Sequence, residues 1–258
     1  MVRGATLEAC GCFPTGRHYA GIAHLLRTVA RGLIEELAAD AQWSDLPIAL
    51  VDVETTGKDP SVDRVVEVGI AIARGGELVE CKNWLVNPGR SIPKEASDVH
   101  QITDELVKDA ARFEEIAHEI ATMLAGCVPA AYNAAFDRAF LVGEMARAGL
   151  SQEQMPPALR KGVEWVDPLV WARELQQEER SRTLGEVAMR LGISLANAHR
   201  ASDDAEAALR VMLALGRDGR LPRTYAGLVQ EQRRLALAQA DERRLKWRGG
   251  VTGRDYSA

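Results

Sequence analysis

Four carboxylates and one histidine fall in three short segments: Asp52-Val53-Glu54-Thr55-Thr56-Gly57, Asn133-Ala134-Ala135-Phe136-Asp137 and His199-Arg200-Ala201-Ser202-Asp203-Asp204. Asp52 and Glu54 follow the apolar run Ile48-Ala49-Leu50-Val51, so they stand two residues apart near the end of an expected strand and project from one face. Two carboxylates side by side cannot both stay ionised unaided, and a hard, oxygen-seeking cation such as Mg²⁺ or Mn²⁺ is their natural partner. Each segment alone has a plainer reading. Asp137 and Asp204 each suit the first turn of a helix, where the dipole favours an acid. His199 alone reads as a loop or capping histidine. The joint occurrence of the three segments, each at an element end where side chains can converge, points instead to a two-metal phosphodiesterase site.

The elements that must position these residues are visible as periodicities. A strand is expected over 47–54, and Val66, Val68, Ile70 and Ile72 alternate in a second. Glu77 to Val86 form a third, joined to the second by a hairpin at Gly75-Gly76. Helices are expected near 112–125 and 135–149 with the short strand Val128–Tyr132 between them. Pro156-Pro157 marks a loop, Val163–Val166 a last strand, and Leu169–Leu175, Leu184–Leu191 and Asp203–Leu215 further helices. Three strands in meander followed by helix and strand in alternation predict an α/β fold, a mixed sheet covered by helices. Ahead of it, Ile22, Leu25, Leu26, Val29, Leu33, Ile34 and Leu37 have the spacing of an amphipathic helix.

The three segments resemble the motifs of the DEDDh family of 3′→5′ exonucleases, which includes the proofreading epsilon subunit of bacterial DNA polymerase III and, more distantly, oligoribonuclease and RNase T. Asp-x-Glu-Thr-Thr-Gly stands unbroken at Asp52 to Gly57, Asn-Ala-x-Phe-Asp at Asn133 to Asp137, and His-x-Ala-x-x-Asp at His199 to Asp204. The resemblance covers about residues 46 to 216 and implies a ribonuclease H-like fold. Two departures stand out: Gln101 in Val99-His100-Gln101-Ile102-Thr103, where the family has glycine, and Tyr132, where many relatives have histidine. Neither touches an expected ligand. The resemblance further implies two divalent cations, Mg²⁺ or Mn²⁺, with Asp52, Glu54 and Asp204 holding one and Asp52 bridging to a second that Asp137 supports through water. His199 is the expected base that deprotonates the attacking water. The backbone around Thr55 and Thr56 is expected to grip the 3′-hydroxyl end, with His100, Asn133 and Phe136 near the last nucleotide. The expected product is a nucleoside 5′-monophosphate. Single-stranded DNA is the favoured substrate, with RNA the alternative, and a polymerase or repair protein is a candidate partner. A partner-binding scaffold of the same fold is the other reading, which the loss of any one ligand would have favoured.

Length and composition set the frame. A chain of 258 residues with 47% hydrophobic content can bury one substantial core. The net charge of −5 neither argues for nucleic-acid binding nor opposes it, because a local groove is enough. No apolar run approaches a membrane span and residues 1 to 20 lack a signal-peptide pattern, so a cytoplasmic protein is expected. Cys10, Cys12, Cys81 and Cys127 are too sparse for a disulfide framework, and Cys10-Gly-Cys12 with His18 and His24 matches no common zinc spacing. Three regions follow: 1–45, a leader with an amphipathic helix; 46–216, the exonuclease domain; and 217–258, a basic helical tail. Arg217, Arg220, Arg223, Arg233, Arg234, Arg243 and Arg244 crowd that tail, which reads as a solvated helix on the domain or a contact for nucleic acid. With every motif between Asp52 and Asp204, both flanks are expected to be dispensable for short substrates.

Overall fold

Strand β1, Ile48–Thr55, is the spine of the molecule in a computed structural model that describes residues 31–151, 153–195 and 200–251. Its apolar run pairs antiparallel with β2, Val65–Arg74, and parallel with β4, Val128–Ala130. The hairpin at Gly75-Gly76, both with positive φ, returns the chain as β3, Glu77–Leu85, and the sheet order is β3-β2-β1-β4. The expected strand at 163–166 is reduced to one parallel bridge between Ala130 and Val166. Val166 N–H to Pro129 O and Ala131 N–H to Val166 O make that bridge, while Trp165 O accepts from a side chain described below.

Helices cover both faces of the sheet. Helix α1 is Lys94–His100 and α2 is Asp104–Val107, both short and neither expected from periodicity. Helices α3, Phe113–Leu124, and α4, Ala134–Arg147, bury Phe113, Ile120, Phe140, Leu141 and Met145 in one cluster with Ala49, Val51, Val53, Val68, Ile70 and Ile72. These are alternate residues of β1 and β2, so they define one face. The opposite face of both strands packs against α7, Ala201–Leu215, while α5, Pro168–Leu175, and α6, Leu184–Arg190, pack against α7. Nine of the ten residues of β2 are buried, because helices sit on both sides. An all-buried strand of this kind hides its alternation in a nearly continuous apolar run.

The described part of the expected N-terminal helix is not helical. Residues 31–42 run as successive turns, with Gly32 at φ +92° and packed against Arg233 and Glu164. A left-handed residue with no room for a Cβ ends helical periodicity. Leu33 and Ile34 are nonetheless buried, and Leu37 packs on the core. The earlier part of that stretch, like Cys10, Cys12, His18 and His24, lies outside the described residues.

At the other end α8, Tyr225–Val251, does not lie loosely on the surface over its first half. Tyr225, Leu228, Val229, Gln232 and Leu235 are buried, Tyr225 Oη accepts a hydrogen bond from Ile34 N–H, and Gly32 opens the same compact unit. Residues 32–37 and the first half of α8 thus bury apolar side chains in the same compact unit as the sheet. Among the described residues no helix is long and apolar enough to cross a membrane.

Candidate active site

Three of the expected ligands converge. Asp52 and Glu54 point from β1 toward the face covered by α7, and Asp204 sits in the first turn of α7. One carboxylate oxygen from each can be chosen such that all lie within 4.8 Å of one another. Two unit charges at that separation repel by about 3 kcal/mol at an effective dielectric near 20. Consequently burial first, and then Asp137, Glu54, Asp204 and Glu67, push the Asp52 carboxyl well above its usual range. Burial and the neighbours Asp204, Glu67 and Asp137 push Glu54 up to about 8. A carboxylate set of this kind fits a hard cation, which would supply the charge that the acids lack.

Asp137 reaches the group from the other side of the sheet. It is 3% exposed in the first turn of α4, and its Oδ1 accepts a hydrogen bond from Val53 N–H at 3.1 Å, between the two β1 acids. Burial raises it to about 8, against the lowering effect of its own and the Val53 backbone N–H. His199 lies outside the described residues, directly before the segment that begins α7.

Two residues not expected from the sequence hold α7 against the strand. Gly69 lies opposite Asp52 in the β1–β2 register, and a Cβ there would meet the Ala201 backbone at 2.1 Å. Only glycine lets the helix start come this near the sheet and deliver Asp204 to Asp52. Glu67, fully buried and opposite Glu54, accepts hydrogen bonds from Arg200, from the Ala201 N–H at 2.9 Å and from Asn83 Nδ2. It thus satisfies a free N–H at the helix start that no local side chain caps.

The second motif hangs on another acid. Asn133 takes a left-handed conformation, φ 75° and ψ 49°, which asparagine tolerates better than most residues. The Asp167 carboxylate accepts from Asn133 N–H at 3.0 Å, Ala134 N–H at 3.2 Å and Leu169 N–H at 2.9 Å, so it fixes the start of α4 and of α5 together. Asp167 N–H in turn donates to Gln232 Oε1, which also accepts from Trp171 Nε1, while Gln232 Nε2 donates to Trp165 O. A buried glutamine on α8 is thereby tied to the turn that aims Asp137.

The expected substrate contacts are distributed around this centre. Thr55 and Thr56 are buried at the end of β1, where Thr56 N–H donates to Arg64 O and Arg64 N–H returns to Thr56 Oγ1 at 3.0 Å. Arg64 clasps the buried Glu144 through Nε at 2.7 Å and an η nitrogen at 2.9 Å, anchoring that loop to α4. Asn133 is exposed and Phe136 is half-buried against Phe140, with ring centroids 4.8 Å apart. His100 is buried at the end of α1, its Nδ1 accepting from Ile102 N–H. Gln101, where the family pattern has glycine, takes φ 59°. The substitution thus falls on a position whose backbone still carries the glycine preference.

The sequence profile of the exonuclease family matches residues 50–212. A PolC-type DNA polymerase III of Thermotoga maritima is 31% identical over 197 residues, which is 75% of this chain and 14% of that protein. The 3′-5′ exonuclease DinG of Staphylococcus aureus is 28% identical over 165 residues, 64% of this chain and 18% of that protein. The chain therefore spans less than a fifth of the length of these relatives. Among solved structures, exonuclease X in complex with 5′ overhanging duplex DNA has 20% identity and a TM-score of 0.56, covering 72% of this chain and 99% of the other. The zinc-bound exonuclease I–single-stranded DNA complex of E. coli has 18% identity and a TM-score of 0.57, covering 67% of this chain and 40% of the other. The sheet and its helices are those of the ribonuclease H-like exonuclease fold.

Proposed function

Because the chain belongs to the exonuclease family, we propose that it is a metal-dependent 3′→5′ exonuclease that releases nucleoside 5′-monophosphates from single-stranded or frayed DNA 3′ ends. The observation that carries this reading is the convergence of Asp52, Glu54 and Asp204 within 4.8 Å, with Asp137 docked on Val53 N–H between the two β1 acids. Two Mg²⁺ or Mn²⁺ ions bound there would supply positive charge to the scissile phosphate and to the attacking and leaving oxygens. Asp52, Glu54 and Asp204 would hold one ion, and Asp52 would take part in holding a second that Asp137 supports through water. His199 takes the proton of the attacking water, and the leaving 3′ oxygen gains one from solvent. Thr55 and Thr56 hold the 3′-terminal hydroxyl, while His100, Asn133 and Phe136 frame the last nucleotide. The similarity to PolC-type polymerases supports a proofreading or repair role beside a polymerase in the cytoplasm. The exonuclease domain proper is assigned to residues 46–216, with 1–45 and 217–258 as flanking extensions.

A 5′-labelled single-stranded oligonucleotide with Mg²⁺ or Mn²⁺ tests polarity and metal use together. A descending ladder that a chelator abolishes is expected. Release of the labelled terminal nucleotide in the first step, or internal cuts in a circular strand, contradicts the reading.

A further inference from the structure

Beside the second motif lies a trough of about 850 Å³, lined by α5, the 177–183 segment and the second half of α8. Tyr132 and Asn133 form one end, and Arg173, Arg180, Arg182 and Arg243 line the remainder. Glu174 and Glu242 are the acids of the lining, so the arginines outnumber them by two. Gln239, Glu242 and Arg243 lie beyond the residues that match the exonuclease family, so one wall of the trough comes from outside the matched segment.

The arginines are not consumed by the fold. Among the described residues Arg173, Arg180 and Arg243 have no hydrogen bond or ion pair, and Arg182 donates only to the Gln176 and Gln177 carbonyls. Burial and the nearby Arg243 hold the Arg173 guanidinium below its ordinary pKa, with Asp167 opposing them in part. Glu174 acts electrostatically on Arg220 and Arg234, neither of which lines the trough. Tyr132 adds a half-buried aromatic ring whose hydroxyl is fixed by donation to Arg182 O at 2.6 Å.

Planar guanidinium groups in a row suit phosphates spaced along a strand, and an aromatic ring suits an unstacked base. We propose that this trough binds the internucleotide phosphates of a single polynucleotide strand just upstream of the 3′-terminal nucleotide, leading the strand to Asn133 and the carboxylates. The inference rests on the exonuclease reading of the site and adds the path by which longer substrates reach it. An acidic peptide has the charge to enter but gives Tyr132 no base to stack, so a polynucleotide fits the lining better.

The test uses the full chain, metal-free so that no hydrolysis occurs, and labelled oligothymidylate and oligouridylate of dinucleotide and longer length. Arg180→Gln combined with Arg243→Gln removes two exposed cations, and an unchanged melting temperature establishes that the fold survives. Each single-strand phosphate contact contributes about 0.7 to the slope of log affinity against log salt, so two contribute about 1.4. Between about 50 and 200 mM salt the wild type should lose affinity for the longer strands about sevenfold more than the variant. For dinucleotides the two should behave alike. Arg180→Lys with Arg243→Lys should restore most of the slope. The same effect on both oligothymidylate and oligouridylate supports a site that reads phosphate, and an effect on either one alone still supports a strand path with sugar preference. Equal salt slopes for variant and wild type on long strands, or tighter binding of polyglutamate than of either oligonucleotide, overturns the proposal. Wild-type hydrolysis of the p-nitrophenyl ester of thymidine 5′-monophosphate with Mn²⁺ reports the carboxylate site separately. Failure there would count against the catalytic reading and leave the trough result standing.

Discussion

At the scale of single residues the proposed chemistry depends on a division of labour between ligands and a base. His199→Ala removes a proton acceptor and no charge from the carboxylate set, so cation binding should persist while turnover falls by roughly 10² to 10⁴. Asp52→Ala should weaken cation binding itself, because an oxygen-lined site depends on its count of charged ligands. Calorimetric titration with Mn²⁺ alongside single-turnover kinetics separates the two, and a His199→Ala variant that loses its metal while Asp52→Ala keeps both would reverse the roles. The three carboxylates that converge were legible in the sequence because side-chain chemistry at fixed spacing is written there. Glu67 and Gly69 were not. Glu67 and Gly69 lie inside an apolar strand and act on a helix start more than 130 residues away, across a contact that no local pattern encodes. Asp167, which the sequence offered as a support for the site, caps Leu169 N–H and also holds Asn133 and Ala134.

At the scale of elements the account turns on how α4, α5, α7 and α8 are held to β1. The strands and the longer helices followed from periodicity, since burial on one stripe or one face repeats along the chain. The described end of the N-terminal stripe misled because Leu33 and Ile34 are buried, and Leu37 partly so, from a turn-rich segment, where apolar spacing at three and four residues has no helical meaning. The strand at 163–166 misled because its apolar residues face the core without a ladder beyond the Val166 bridge. Helix α8 carries the strongest element-scale prediction. Gln232→Leu strands the Asp167 N–H, the Trp171 indole N–H and the Trp165 carbonyl, each buried group costing about 1 to 3 kcal/mol when unpaired. Denaturant unfolding should register a loss of about 3 kcal/mol or more. Turnover at saturating metal should fall as well, because Asp167 also fixes Asn133 ahead of Asp137. A change under about 0.5 kcal/mol would mean that α8 does not brace the second motif.

At the scale of the whole molecule the site is a source of instability that a bound cation would offset. Glu54 and Asp137, raised to about 8 from ordinary values of 4.5 and 3.8, carry protons in the folded chain that the unfolded chain has already released near neutrality. Groups raised in this way contribute stability that is complete below their unfolded pKa and is lost as pH rises through the folded one. The metal-free chain should therefore melt at lower temperature at pH 8 than at pH 5, with a shallower fall in Asp137→Asn. A cation that binds the folded chain alone opposes the loss, by about 2.7 kcal/mol at a hundred times its Kd. For a domain of this size that is a rise of about 5 to 10 °C in Tm. The measurement that tests the central claim most directly is thus thermal unfolding at pH 8 with chelator and then with excess Mn²⁺. The account predicts a rise of that size for the wild type and little or none for Asp52→Asn. A wild-type Tm that Mn²⁺ leaves unmoved, or an equal rise in Asp52→Asn, would contradict a cation site built from these carboxylates.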